Sequence, residues 1–154
     1  MNFEEAELEI SEFLSGKINE QNVEVVPLPE VEKDFEKAWG KLKVIVAFAS
    51  EDADVNSFTT SGVYQDVTIT FSILIQGKSL RGPNGLYQLA EKIKRVLVGY
   101  QPKDGDAMTY GGHKFLDRNN GVFEYGLDFK TRSVRMQNFE EETGPPFIGG
   151  ITIN

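Results

Sequence analysis

The sequence predicts an α+β domain, a mixed and mostly antiparallel sheet of about five strands with two helices packed on one face. Three observations carry this. Val67, Ile69, Phe71, Ile73 and Ile75 fall on every second position, with Asp66, Thr68, Thr70 and Ser72 between them, which is the period of a half-buried strand. Leu86, Leu89, Ala90, Ile93, Val96 and Leu97 follow the i, i+3, i+4, i+7 spacing of a helix with one buried stripe. Phe123, Tyr125, Leu127 and Phe129 alternate again, after Asn119, Asn120 and Gly121 supply a hairpin turn.

In chain order, Asn2 with Glu5 three residues on is a capping-box pattern, and Phe3, Ala6, Ile10, Phe13 and Leu14 trace one face of a helix ending near Ser15 at Gly16. Its Glu4, Glu5, Glu7, Glu9 and Glu12 read as a solvated outer face rather than an acidic docking surface. Val23, Val25 and Val26, stopped by Pro27 and Pro29, form a short edge strand. Glu30–Trp39 has near-helical spacing and predicts a short helix or packed turn, with Phe35 and Trp39 in the core. Leu42, Val44, Val46 and Phe48 mark the next strand, and a polar, exposed, mobile loop is expected between Phe48 and Val63.

The long strand must stop at Gly77–Gly85, which holds three glycines and Pro83. Asn84 is the expected N-cap of the helix that follows, and Gly99 the left-handed residue that closes it. A flexible loop over Lys103–Gly112 then leads to a short strand, Lys114–Arg118, with His113 at its start. In the returning strand Gly126 is a candidate bulge. Residues 1–136 are expected to form a single domain, and 137–154 a C-terminal arm. With Gly144, Pro145, Pro146, Gly149 and Gly150 the arm is flexible alone, yet Phe147, Ile148, Ile151 and Ile153 are apolar enough to dock on a neighbouring subunit's sheet edge.

Composition narrows the function classes. A chain of 154 residues, 40% hydrophobic, can bury roughly 70% of the surface its unfolded form exposes. No run approaches the ~20 apolar residues of a membrane span, and the Glu-rich start lacks the features of a signal peptide, so a soluble cytoplasmic product is expected. The absence of cysteine rules out disulfides and thiolate metal sites. A net charge of −8 opposes sequence-specific nucleic-acid binding.

Catalytic and cofactor motifs do not assemble. Gly77, Lys78 and Ser79 resemble the end of a phosphate-binding loop, but position 72 is Ser72 where that motif needs glycine, and Arg81–Pro83 delay the helix. Counting a calcium loop from Asp52 puts Ser57 where glycine is required and Val63 where the bidentate Glu belongs. His113, the single histidine, has no identifiable nucleophile partner. The residues therefore predict no enzyme, cofactor or metal.

The order of elements resembles a family of small tail proteins of Mu-type phages and prophages, which is similar in architecture to the tail terminators of long-tailed phages. The likeness is carried by Leu42–Phe48, the strand beginning near Gln65, the run Leu97, Val98, Gly99, Tyr100, Gln101, Pro102, and Phe123, Tyr125, Leu127 and Phe129, over roughly residues 1–135. It implies a non-enzymatic virion component, a hexameric ring that caps the tail tube and provides the surface where the head joins. Its partners would be further copies of itself, the tail tube protein and a head–tail connector protein. The expected contact residues are Asp54 and Phe58 in the polar loop, Lys78 and Arg81 in the glycine-rich connection, and Phe147 and Ile151 in the arm. A negative lumen would let DNA slide through. Two other classes fit the residues: a small hydrolase or ligand-binding domain using the Gly77–Gly85 loop over a pocket, and a monomeric adaptor docking through Phe58 or the arm.

Overall fold

The alternating run centred on Phe71 forms the middle strand of a five-stranded sheet. The computed structural model describes residues 1–18, 22–31, 42–59 and 62–137, with the backbone alone for 55–59. Its elements are helix α1 (Phe3–Lys17), strands β1 (Val23–Pro27), β2 (Leu42–Thr59) and β3 (Gly62–Gly77), helix α2 (Leu86–Leu97), and strands β4 (Thr109–Asn119) and β5 (Val122–Met136). The helix or turn expected beyond Val31, the Phe35–Trp39 pair and the arm from 138 onward lie outside the described residues. The strands are ordered β1-β2-β3-β5-β4, with β1 parallel to β2 and every other pair antiparallel, so the fold is α+β as expected.

Both helices cover one face of this sheet. Val67, Ile69, Phe71, Ile73 and Ile75 are at most 2% exposed, and they join Val44, Val46, Leu127 and Phe129 in one cluster with Ala6, Ile10 and Leu14 of α1 and Leu86, Leu89, Ala90, Ile93 and Leu97 of α2. Register explains the cluster. Phe71 pairs with Phe48 on one side and Phe129 on the other, and Ile73 with Val46 and Leu127, so three strands present apolar side chains at the same level. Each such side chain, fully buried, stabilises by about 1.5–3 kcal/mol relative to exposure. A slip of one residue would turn the whole row to the opposite face.

The helix ends follow local chemistry, with two departures from expectation. Asn2 Oδ1 accepts the Glu5 amide at 3.0 Å, the cap that the sequence indicates. The helix then runs through Gly16 to Lys17 because Ile18, 4% exposed, docks in the core beyond it. Gly85, not Asn84, is the N-cap of α2. A Cβ on Gly85 would lie 2.5 Å from the Leu80 carbonyl oxygen, so only glycine lets the connection fold this tightly against the helix start. Gly99, at φ +90°, ends α2 and donates its amide to Met108 O at 2.8 Å.

The polar stretch after Phe48 is strand, not the mobile loop its composition predicts. β2 continues to Thr59 and pairs with β3 through Asp52–Thr68, Asn56–Gln65 and Thr59–Gly62, with register shifts between Phe48 and Ser50 and between Ala53 and Asn56. Pairing with β3 supplies its backbone bonds, so no apolar alternation is needed. Residues 103–108 are likewise tied down: Asp106 N–H donates to Arg132 O at 2.9 Å, and the Thr131 and Ser133 hydroxyls donate to Asp106 O and Asp104 O at 2.6 Å each. β4 therefore starts at Thr109, and His113 lies inside it, not at its beginning. The bulges sit on β4, between Tyr110 and Gly112 and between Phe115 and Asp117. Gly126 remains in regular register, opposite Leu74 and Lys114. A Cβ there would come 3.1 Å from Leu116 Cδ1, so Gly126 makes room for the bulged Leu116.

Phe71→Ala should lower the unfolding free energy by about 3–5 kcal/mol, because the pocket is closed from three strands and cannot collapse. A urea titration checks this, and a loss below about 1.5 kcal/mol would mean the row is loosely packed.

Candidate interaction surface

The residues expected to make contacts do not converge on one place. Asp54 lies on β2 with its backbone carbonyl accepting from Gln65 Nε2 at 3.0 Å, and its carboxylate is 3.4 Å from Arg132 Nη2. Lys78 directly follows the last residue of β3, and Arg81 lies three residues on. Gln65 and Gly77 stand at opposite ends of β3, so the two groups are roughly 40 Å apart along the strand at its rise per residue. Phe58 is near the far end of β2, opposite Val63, and its side chain is not described. Phe147 and Ile151 lie outside the described residues.

The Gly77–Gly85 connection cannot cradle a phosphate. The amides of Leu86 and Tyr87 at the start of α2 donate to Ser79 O and Leu80 O at 3.0 and 3.1 Å, and Ser79 Oγ donates to Arg81 O at 3.0 Å. The donors that would meet an anion are thus taken by the loop's own carbonyls.

One flank of the molecule is acidic and partly built from helix α1. Two of the carboxylates expected to face solvent instead hold the helix in place. Glu7 Oε2 accepts the Phe48 amide at 2.7 Å, beside the register shift in β2. Glu9 accepts the Tyr100 hydroxyl and the Lys103 amide, the latter at 3.1 Å. Burial, and then the Glu9 carboxylate, push the Tyr100 phenol above its ordinary range, so it stays a donor at any physiological pH. Phe13 stacks on Tyr100 with ring centroids 4.0 Å apart, and Phe3 on Phe48 at 3.9 Å. These contacts join residues 41 and 91 positions apart, which no local pattern announces.

Beside the N-terminus of α1 lies an open hollow of about 470 Å³, lined by Met1, Asp66, Asp104, Asp106, Arg132 and Ser133. Arg132 is within 3.4 Å of both Asp54 and Asp66, so one guanidinium faces several carboxylates. Ser133 already donates to Asp104 O, and no base adjoins it among the described contacts. The hollow suits a positively charged group rather than chemistry.

The opposite flank, between α2 and β4, is basic and aromatic. Tyr87, Tyr110 and Phe115 are 40–55% exposed, and Tyr87, His113 and Phe115 meet Tyr125 edge-on at 6.1, 5.2 and 5.5 Å. Cations lie over the rings: Arg81 over Tyr87 at 5.8 Å, Lys94 over Tyr110 at 5.0 Å and Arg118 over Phe123 at 5.2 Å. Burial, with Lys94 nearby, lowers the His113 pKa and keeps its ring neutral at pH 7. Its Nε2 is buried with no hydrogen-bond partner among the described residues, and its ring packs on Tyr125 as part of the aromatic floor. The sequence carries the matching signal: residues 78–118 hold eight Lys or Arg against four Asp or Glu, whereas residues 1–77 hold five against fifteen. That division escapes any motif search because it appears only when charge is summed by segment.

Arg135 clamps Glu51 across the sheet with two bonds of 2.7 Å, and this bond holds the Glu51 carboxyl below the usual glutamate range. A depressed folded-state pKa gives stability that is present above the unfolded value and lost as pH falls through the folded one. Glu51→Gln should therefore destabilise by no more than about 1 kcal/mol at neutral pH, since Arg135 is half exposed. The difference from wild type should shrink as pH drops below the ordinary glutamate range. A pH-independent difference in denaturation midpoint would show that the pair's charge is not responsible.

Among solved structures, the chain is similar to one from the virion of a native gene transfer agent particle, at 15% identity and a TM-score of 0.44, over 82% of this chain and 84% of that one. No curated protein matches the sequence. The Gp37 protein family matches residues 14–149, which takes in every strand, helix α2 and the end of α1. The chain belongs to the Gp37 family.

Proposed function

We propose that this Gp37-family protein is a structural, non-catalytic component of a phage-type virion, a tail terminator that forms a ring on the end of the tail tube and offers the surface where the head joins. The observation that carries the reading is the division of the molecule into an acidic flank at α1 and a basic, aromatic flank at α2–β4, with β4 an edge strand of the sheet. Opposite charge on two different surfaces favours head-to-tail contact between copies, and a head-to-tail contact closes into a ring when its rotation divides a full turn. The resemblance of Leu42–Phe48, Leu97–Pro102 and Phe123–Phe129 to phage tail proteins points the same way.

On this reading the protein works by shape. Its partners are further copies of itself, probed first as a hexamer, then the tail tube protein below and a connector protein above. The acidic majority of the surface, left to line the lumen, would repel the DNA backbone and let it pass. A ligand-binding or hydrolytic domain built on the Gly77–Gly85 loop is disfavoured, because that loop's amides and the Ser79 hydroxyl are already engaged. A monomeric adaptor would use the same open flank with one partner.

Mass in solution across a concentration series, with and without the tail tube protein, separates these readings. A species near six times the 17.2 kDa chain mass, seen as rings in negative stain, is the expected result. A chain that stays monomeric at every concentration and in the presence of tube protein would contradict the terminator reading.

A further inference from the structure

We infer that the β4 edge and its aromatic floor are the docking site for the C-terminal arm, residues 138–154, of a second copy of this chain. The inference rests on the ring reading above and names the contact that would join its subunits.

The site has three parts. Among the described residues β4 has a strand neighbour on one side only, β5, which leaves its outer side open to another extended segment. Its two bulges leave the regular stretch Gly112–Phe115 between them, paired on the inner side with Asp128–Tyr125. A four-residue edge is enough for one short added strand, whose side chains then decide the fit. On the helix-bearing face of that stretch lies a ledge of the exposed rings of Tyr87, Tyr110 and Phe115, with the half-buried Tyr125 beneath Tyr87 and Phe115. Around it stand Arg81, Lys94 and Arg118.

The arm is complementary on both counts. It contains Glu140, Glu141 and Glu142 and no Lys or Arg, followed by Phe147, Ile148, Ile151 and Ile153. The carboxylates meet the cations of α2 and β4 while the apolar residues cover the rings. Gly149 and Gly150 allow close approach of backbone to backbone, and Pro145 and Pro146 favour an extended lead-in that loses little entropy on docking.

Charge also selects a second copy over the chain's own edge. The arm leaves from Gln137, whose amide donates to Val63 O at 3.0 Å, at the same end of the sheet as the hollow of Asp66, Asp104 and Asp106. Turning back to its own β4 would carry three glutamates past those aspartates. Reaching outward to the basic flank of a neighbour avoids this repulsion.

The native chain has no cysteine, so single thiols report the contact directly. Phe115→Cys and Ile148→Cys are made in separate full-length chains, mixed, and oxidised. A mixed disulfide at least tenfold above that formed between Ile148→Cys and the α1 variant Glu12→Cys is the expected result, reduced by Arg118→Glu and by high salt. Equal yields with the two partners, or a bridge that forms only inside a chain carrying both Phe115→Cys and Ile148→Cys, would overturn the assignment. The two levels of the account fail separately. Rings in negative stain without the mixed disulfide would remove the arm but leave the ring, whereas chains that never associate would remove both.

Discussion

The register of β3 between β2 and β5 is the constraint on which the rest of the structure depends. Once Phe71 stands level with Phe48 and Phe129, and Ile73 with Val46 and Leu127, a single apolar face exists for both helices to cover. Shifting that register by one residue would put Thr70 and Ser72 against α1 and α2, and neither helix would have a surface to bury its stripe against. Everything placed on the ends and edges of the sheet, from the α1 carboxylates to the aromatic ledge on β4, inherits its position from this row.

The same arrangement explains why one side of the molecule is closed and the other open. α1 is bound to the sheet by core packing and also by Glu7 on Phe48 and by Glu9 on Tyr100 and Lys103, so several of its acidic groups are fixed. The 103–108 segment is tied to β5 by three hydrogen bonds. By contrast, nearly all of β4 is exposed, and its rings rest against Tyr125 and Phe129 of the neighbouring β5. A basic, aromatic edge strand on a protein of net charge −8 stands out from the rest of the surface and suits an acidic, apolar segment, as the acidic hollow does not.

How much of this was legible in the sequence depended on whether the determinant was local. The β3 alternation, the α2 stripe, the Asn2 cap and the Asn120–Gly121 turn, with φ of 53° and 76°, are set by neighbouring residues and read correctly. The second half of β2 was not legible, because Asp52, Asp54 and Asn56 give no apolar period and their strand exists only through pairing with β3. The α2 cap departs from local chemistry for a related reason: Asn84 is chemically the better cap, but the close approach of Leu80 leaves room only for Gly85. Of the expected contact residues, Arg81 belongs to the open flank and Lys78 directly follows β3, while Asp54 lies at the other end of the sheet engaged with Arg132. The members that sequence reasoning missed, Tyr87, Tyr110, Phe115 and Arg118, are spread over two elements and come together only in the fold.

One sheet here combines a rigid middle with an open edge, and amide hydrogen exchange on the dispersed chain separates the two. Ile69–Ile75 of β3 should exchange slowest, near the rate set by global unfolding, and alternate, outward-facing amides of Gly112–Phe115 orders of magnitude faster. Equal protection along β4 and β3 in the dispersed chain would mean that the edge is already covered and that no open edge exists.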